Sequence, residues 1–496
     1  MAKTTSTPML SKSQFIRGLQ CHKSLWLYRN RPELREVSDA QEATFASGTE
    51  VGQFAQELFP GGIEIPYGEL PLKDQVVRTR EAMKTHKVIY EATFEYDGVI
   101  VKVDILKKGT RGWELYEVKS STQLKEVYIH DAAIQYHVLT GAGVRLSKVV
   151  LVHIDNSYVR KGVVDPQQLF AFEDLTKSMR TMDEGIIKQL RSQKRMLKKG
   201  TMPAIDIGPH CDDPYSCDFK GQCWAHIPEP SVFSLAGKGV DKFALYNEGI
   251  VELKDVPLDR LNTSQRHQVE AWRDHRVEID KKQVQEFLDD LWYPLCFLDF
   301  ESFQSAIPPF DGTSPYGQIP FQYSLHTLKR RGGKLHHSAF LSEPNTDPRK
   351  ALLEHLLDEI PEDACILTYN KQFEAGVLKR LAELFPRKRK RIEKLIANVR
   401  DLMVPFRGRA AYHWQMQGSY SIKKVLPAFV PDLSYEGLEI SDGGMAMEAW
   451  HHMCAAQSKE ELAAIRKNLL DYCALDTLAM VRLLEVLERA VKGRSS

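Results

Sequence analysis

The stretch Val101-Lys102-Val103-Asp104-Ile105-Leu106, followed after a glycine-rich turn by Leu115-Tyr116-Glu117-Val118-Lys119, decides the reading of the amino-terminal half. Both pieces are short, alternating and rich in branched residues. The turn signal Gly109 to Gly112 lies between them, so they predict two strands of a meander. Residues two apart on a strand face the same way, which puts Glu117 and Lys119 on one side, and pairing with the preceding strand brings Asp104 alongside. Two carboxylates beside an ammonium suit a Mg²⁺ or Mn²⁺ ion and an attacking water. Oxygen ligands hold the hard cation, and the lysine positions the nucleophile or steadies charge developing on a phosphate. The plain competitor is an amphipathic hairpin that shows a salt bridge to solvent.

Outward from this hairpin the pattern stays mixed α/β. Ile89 to Phe94 precedes it across an Asp97-Gly98 turn, and Val149 to Ile154 is a further strand. Helical periodicity runs over Leu124 to Leu139 and over Leu169 to Leu197. From Pro203 to Pro230 the periodicity stops, and the loop needs an external staple. Ser231 to about Leu291 is helical and polar, with the rhythm of helix-turn-helix pairs. Leu295 to Phe300 then opens a second strand-rich region, with a hairpin turn at Gly332-Gly333, a strand over Cys365 to Tyr369 and long helices beyond. The expected division is a domain over 1–228, a helical connector over 229–290 and a second domain over 291–496.

Composition agrees with this division. At roughly 100–200 residues per domain, 496 residues predict two to four domains, and 43% hydrophobic content excludes disorder as the main state. The 67 Lys plus Arg nearly balance 66 Asp plus Glu, so attraction to nucleic acid has to come from local patches. No apolar run of about 18 residues occurs, so a spanning helix is not expected. Met1 to Ser13 lacks the basic-then-apolar pattern of a secretory signal, and a cytoplasmic enzyme or binding protein is the expectation.

Eight cysteines are too few for a disulfide scaffold in a chain this long. Cys296, Cys365, Cys454 and Cys473 lie in apolar stretches and read as small buried hydrophobes. Cys211, Cys217 and Cys223 instead form C-x5-C-x5-C in a turn-rich loop, a pattern of metal ligands. A fourth donor is required, and Cys21 is the remaining cysteine outside the carboxy-terminal half, with His22, His210 and His226 as competitors. Zinc and iron–sulfur both accept four thiolates, and the spacing leaves the two open.

A third group lies near the other end. Cys296-Phe297-Leu298-Asp299-Phe300-Glu301 is an apolar strand carrying two acids on one face. An unpaired buried carboxylate pair is costly, so such a strand normally has a cation opposite it. Tyr472 and Asp476 stand at i and i+4 on one helix face, and Glu374 begins a helix after the Cys365 strand.

These motifs carry resemblances. Asp104, then Glu117-x-Lys119, then the helix containing Asp131-Ala132-Ala133-Ile134-Gln135-Tyr136 resembles the RecB-like branch of the PD-(D/E)XK nucleases. That likeness implies a restriction-endonuclease-like core in which Asp104, Glu117, Lys119 and Gln135 are catalytic. The tyrosine such relatives often carry four residues after the Gln is replaced by Leu139. Gly48 to Ala55 occupies the place where relatives put a metal-binding His, which implies Glu50 as an oxygen ligand. One early cysteine plus three after the core is similar to the iron–sulfur staple of RecB-like nucleases that include AddB and CRISPR-associated members. This implies a [4Fe–4S] cluster on Cys21, Cys211, Cys217 and Cys223, with zinc as the alternative.

The carboxy-terminal 200 residues resemble the RNase H-like DEDD exonucleases of the YxxxD subtype. In that likeness Asp299, Glu301, Glu374 and Asp476 hold two divalent cations about 3.5–4 Å apart, and Tyr472 orients the attacking water. Glu374 stands where the family has Asp, and Asp401 reads as a cap or salt-bridge residue. The whole chain is similar to an uncharacterised bacterial family with this fusion, which begins with Leu10-Ser11-Lys12-Ser13 and Gly18-Leu19-Gln20-Cys21.

The resemblance implies a Mg²⁺- or Mn²⁺-dependent nuclease acting on DNA, single-stranded or with ends, in repair, recombination or defence. Two other readings stay open: a nucleic-acid-binding or assembly protein with vestigial sites, and an RNA-directed exonuclease. Two basic stretches offer phosphate contacts: Lys188, Arg191, Lys194, Arg195, Lys198 and Lys199 on one helix, and Arg387 to Arg391. No protein partner follows from the sequence.

Overall fold

Alternation at period two builds the strands of the first unit. In the computed structural model, which describes residues 9–66 and 68–493, the chain divides into two units: Met1–His226 with Ser305–Gly317, and Ile227–Gln304 with Gln318–Ser496. Both are mixed α/β.

The first unit is a mixed sheet of β1 (Leu10–Ser11), β2 (Ile63–Glu64), β3 (Val88–Tyr96), β4 (Val99–Lys108), β5 (Trp113–Lys119), β6 (Leu146–Ile154) and β7 (Phe170–Asp174), in the order β2-β3-β4-β5-β6-β7. β3, β4 and β5 are the antiparallel meander expected, and β6 returns parallel to β5. β1 runs parallel to the start of β4, Leu10 beside Val99, and so fixes the helix α1 (Lys12–Gln20) that follows it. A capping box at Ser11 and Gln14 closes the first turn of α1. Helices α2 (His22–Asn30), α3 (Asp39–Ala55), α4 (Leu72–Thr85) and α5 (Glu126–Gly141) complete the amino-terminal part. One sheet face packs on Phe15, Ala132, Ile134 and Leu190, and the other on Val51 and Ala55 of α3.

The expected helix over Leu169 to Leu197 is corrected: a strand, Phe170–Asp174, precedes a helix over Thr176–Lys199. Phe170 is 3% exposed and β7 pairs antiparallel with β6, so burial of one ring and the ladder override helical periodicity there.

The second unit contains β8 (Val277–Ile279), β9 (Leu295–Phe303), β10 (Ile319–Leu328), β11 (Leu335–Leu341), β12 (Cys365–Thr368), β13 (Val399–Asp401) and β14 (Ala411–His413). Five of these form a mixed sheet in the order β11-β10-β9-β12-β13, with β12 parallel to β9. Leu295 and Phe297 of β9 face the helix Lys459–Val491, and Cys296, Leu298 and Phe300 face the opposite core. Asp299 and Glu301 continue the first of these two rows.

The connector expected over 229–290 belongs with the second unit, because β8 pairs with β14 and Gln268 Nε2 donates to Gln417 O at 2.8 Å. It keeps a small core of its own, including Leu245, Leu253 and Val269. Residues 305–317, although they lie between β9 and β10, pack in the first unit, where Arg160 Nη1 donates to the carbonyls of Pro308 and Pro309.

Candidate metal centres

The first acidic group forms where the ladder between β4 and β5 opens. Pairing runs only from Lys108↔Trp113 to Ile105↔Tyr116, and β3 and β4 skip a pair between Tyr90↔Ile105 and Ala92↔Val103. The skipped residues are Glu91, at φ 54°, and Asp104. A left-handed glutamate within a strand is strained, a cost usually retained where it aims side chains. Asp104 Oδ2 takes the N–H of Val118 at 2.6 Å in place of a backbone carbonyl.

Glu117, fully buried, is saturated: Oε1 accepts from Lys12 Nζ at 2.7 Å and Lys119 Nζ at 2.6 Å, and Oε2 from Gln135 Nε2 at 2.6 Å. Lys119 also pairs with Asp131, and Lys12 reaches the same carboxylate at 3.6 Å. Burial alone pushes Glu117 up, but the ammoniums of Lys119 and Lys12 outweigh it and hold the carboxyl below the usual range. Asp104, half-buried and facing the charge of Glu117, is pushed up to about 8 by desolvation and by that charge. Asp104, Glu117, Lys119 and Gln135 therefore do meet. Glu50 is exposed on α3, and among the described residues no hydrogen bond or ion pair links it to the group. Lys12, Asp131, Glu91 and Tyr128, whose ring centroid lies 5.5 Å from Lys119 Nζ, are the members that sequence reasoning missed.

The second acidic group has the opposite balance. Single ligand atoms of Asp299, Glu301 and Cys473 lie within 4.8 Å of one another. Asp476 is 8% exposed and accepts from Tyr435 Oη at 2.5 Å. Glu374 is 1% exposed, and its Oε2 has no hydrogen-bond partner. Burial first, then their neighbours' charges, push Asp299, Glu301 and Glu374 well up: Asp476 acts on Asp299, Asp299 on the other two. Burial pushes Asp476 up to about 6, with the phenols of Tyr435 and Tyr472 pulling back. The opposing cation is Lys423, which acts on Glu301 and Asp476. Among the described residues, the carboxylates of Asp299, Glu301, Glu374 and Asp476 beside the Lys423 ammonium leave a field that a divalent cation would neutralise.

Reading Cys473 as a plain buried hydrophobe is corrected. It is buried, but its Sγ points to Asp299 Oδ2 at 3.8 Å. Asp401 caps: its Oδ1 accepts from Asn370 N at 3.2 Å and Met403 N at 3.0 Å.

The four cysteines of the staple line one recess of about 340 Å³, open mouth included, together with Lys23, Ser24 and Lys220. Protein contacts bring them there. Arg17 clasps Asp218 through Nη1 to Oδ1 at 2.5 Å and Nη2 to Oδ2 at 2.9 Å, Arg35 pairs with the same carboxylate, and Gln20 Nε2 donates to the carbonyls of His210 and Tyr215. A tetrahedral zinc site with Zn–S bonds of about 2.3 Å needs sulfurs about 3.8 Å apart. Among the described residues no three of these sulfurs lie within 4.8 Å of one another.

The basic stretches are partly structural. Lys194 is buried against the Asp97 carbonyl and carboxylate, and Arg391 donates to the Leu357 carbonyl. Lys188, Arg191 and Arg195 remain along an open groove on the helix Thr176–Lys199. Among the described residues, no helix is long and apolar enough to cross a membrane.

A family profile for a domain of unknown function, DUF2779, matches residues 296–421. That stretch holds Asp299, Glu301, Glu374 and Asp401 and ends before Tyr472 and Asp476. An uncharacterised protein of Ureaplasma parvum, UU173, is 28% identical over 168 residues, which cover 30% of this chain and 24% of that protein. The chain thus spans about a quarter of the length of the relative it matches.

Proposed function

We propose that the protein is a divalent-metal-dependent nuclease that hydrolyses phosphodiester bonds of DNA, single-stranded or with ends, through two centres. The first is a RecB-like PD-(D/E)XK centre of Asp104, Glu117, Lys119 and Gln135. The second is an RNase H-like exonuclease centre of Asp299, Glu301, Glu374, Tyr472 and Asp476. A [4Fe–4S] cluster on Cys21, Cys211, Cys217 and Cys223 would close a very long loop, a structural role that does not imply redox catalysis, and zinc is the alternative there.

The observation that carries the reading is the second pocket. Carboxylates from β9, from the helix Lys371–Leu384 and from the helix Lys459–Val491 converge, all buried but the half-buried Asp299, with an orphaned oxygen on Glu374 and Lys423 as the opposing cation. A bound divalent ion supplies a Lewis acid for the phosphate and a more acidic water. The chain's own part is to hold the carboxylates in register and Asp476 in place through Tyr435, with the Tyr472 phenol beside it to orient a water. In the first pocket, Lys119 is held between Glu117 and Asp131 and is positioned to meet phosphate charge.

The test is nucleotide release from end-labelled single-stranded DNA with Mg²⁺ or Mn²⁺, using Asp299→Ala and Lys119→Ala. Each variant is expected to remove a separable part, and equal product from wild type and double variant would refute the proposal. Competing RNA of equal sequence separates the RNA-directed alternative. The saturation of Glu117 favours a second reading for the first pocket alone, in which it grips a strand without cutting. For the staple, protein purified anaerobically is expected to be brown, absorbing at roughly 400 nm, and to lose its colour in Cys217→Ala. Colourless protein with stoichiometric zinc would contradict the cluster.

A further inference from the structure

The second pocket contains an atom that the exonuclease reading does not use, the sulfur of Cys473. On the helix Lys459–Val491, Cys473 precedes Asp476 by three residues, so both face the same side of the helix. The thiol is buried and points to the carboxylate of Asp299 at 3.8 Å and to its carbonyl at 3.9 Å. A side chain of that size in an apolar setting would ordinarily turn toward the core. Here the sulfur instead completes a triangle with Asp299 and Glu301 whose ligand atoms span no more than 4.8 Å.

One leg of that triangle, from Sγ to Asp299 Oδ2, is a separation that a single ion can bridge. With metal–oxygen bonds of about 2.0 Å and metal–sulfur bonds of about 2.3 Å, two ligands stand about 3.5 Å apart at a tetrahedral angle and somewhat over 4 Å apart when opposed. The Sγ to Oδ2 separation of 3.8 Å falls between these limits. An independent observation points the same way: Glu374 Oε2 is buried without a partner, its charge acts on Glu301, and that of Asp299 acts on it. An acceptor in that state is costly unless something cationic comes to it.

We propose that Cys473 is a sulfur ligand of the cation held by Asp299 and Glu301. The second centre is then a mixed oxygen–sulfur site that prefers Zn²⁺ or Co²⁺ over Mg²⁺. This deepens the proposed function and rests on its claim that the pocket takes a divalent ion. Thiolate is a soft donor and favours the later, softer ions, whereas Mg²⁺ takes oxygen ligands and keeps its waters. Binding forms one metal–sulfur bond and releases the thiol proton to solvent, so no oxidant or reductant is needed.

The test uses the full-length protein and Co²⁺, read by the near-ultraviolet sulfur-to-cobalt charge-transfer band and by the number of ions bound at equilibrium. Wild type is expected to show a component of that band that disappears in both Cys473→Ser and Asp299→Asn. Any thiolate band that survives Cys473→Ser belongs to the four-cysteine recess. Cys473→Ser is expected to keep the ion, but with Zn²⁺ affinity lowered at least about tenfold and Mg²⁺ affinity little changed. Cys473→Ala serves as a second variant, and circular dichroism verifies that each is folded.

If Cys473→Ser and Cys473→Ala give the wild-type charge-transfer spectrum while Asp299→Asn loses one bound ion, sulfur ligation is wrong and the cation site stands. If Asp299→Asn binds as many ions as wild type, the cation site itself is wrong.

Discussion

Glu117 and Glu301 are both nearly excluded from solvent, and each sits among other carboxylates, yet their ionisation is driven in opposite directions. Around Glu117 the chain supplies Lys12, Lys119 and the Gln135 amide, and every strong acceptor position is used. Around Glu301 it supplies Lys423 against Asp299, Glu374 and Asp476, and an oxygen of Glu374 is left over. The number of acids does not distinguish the pockets; the number of ammoniums does. A pocket that carries its own cations is stable without metal, while one that lacks them stores repulsion that an arriving ion relieves.

The largest expected effect separates the pockets by function. Asp299→Ala removes the central carboxylate of the uncompensated pocket and should lower Mn²⁺-dependent nucleotide release on the order of 10³-fold, measured in single-turnover assays. A loss below tenfold would mean that the pocket is not the main cutting centre.

Next comes stability, where the pockets should respond with opposite signs. Lys119→Met leaves Glu117 and Asp131 to share Lys12 and should cost about 3 kcal/mol in denaturant unfolding of the metal-free protein. A neutral outcome would show that the first pocket is wetter than its geometry implies.

A smaller effect concerns metal affinity in the first pocket. Lys12 Nζ holds Glu117 Oε1 at 2.7 Å, where a divalent ion would have to compete with it. A charge-assisted hydrogen bond is worth about 1.5–3 kcal/mol, so Lys12→Gln should raise Mn²⁺ affinity there by about tenfold or more in calorimetric titration of an Asp299→Ala background. Unchanged affinity would mean that the ion enters without displacing the lysine.

The smallest effect is in pH. Asp476 has a folded value raised to about 6, so the unfolded chain loses that proton first, and metal-free stability falls as pH rises from about 4 through about 6. Glu117, held low, works the other way: its contribution is present above the ordinary carboxylate range and is lost as pH falls. Asp476→Asn should therefore leave the melting temperature unchanged near pH 4 and raise it by about 2–4 °C at pH 7, the shift for roughly 1 kcal/mol in a unit of this size. A gain at pH 4 as large as at pH 7 would contradict the assignment.

Much of the fold is legible in the sequence because it is local. Alternation marks β3, β4 and β5, and Asp97-Gly98 turns between two of them with both residues at positive φ. The juxtaposition of Glu117 with Lys119 follows from strand geometry alone, as does that of Asp299 with Glu301. What escapes is long-range. Lys12 lies 105 residues before Glu117 and reaches it only because β1 pairs with β4, a two-residue contact with no sequence signature. Tyr435, in an irregular stretch 41 residues before Asp476, carries no periodic signal. Cys473 looks apolar by its neighbours, and only the rotation of its helix turns it to Asp299. Helical periodicity over Leu169 to Leu197 places the start of the helix Thr176–Lys199 too early, and pairing with β6 decides for a strand at Phe170–Asp174.

The central claim is that Asp299, Glu301, Glu374 and Asp476 capture a divalent ion. Titration of full-length protein with Mn²⁺ at neutral pH, followed by loss of the free-ion electron paramagnetic resonance signal, tests it most directly when wild type is compared with an Asp299→Asn, Asp476→Asn double variant. Saturable binding in wild type with at least one ion fewer in the double variant is the expected result; identical isotherms would contradict it.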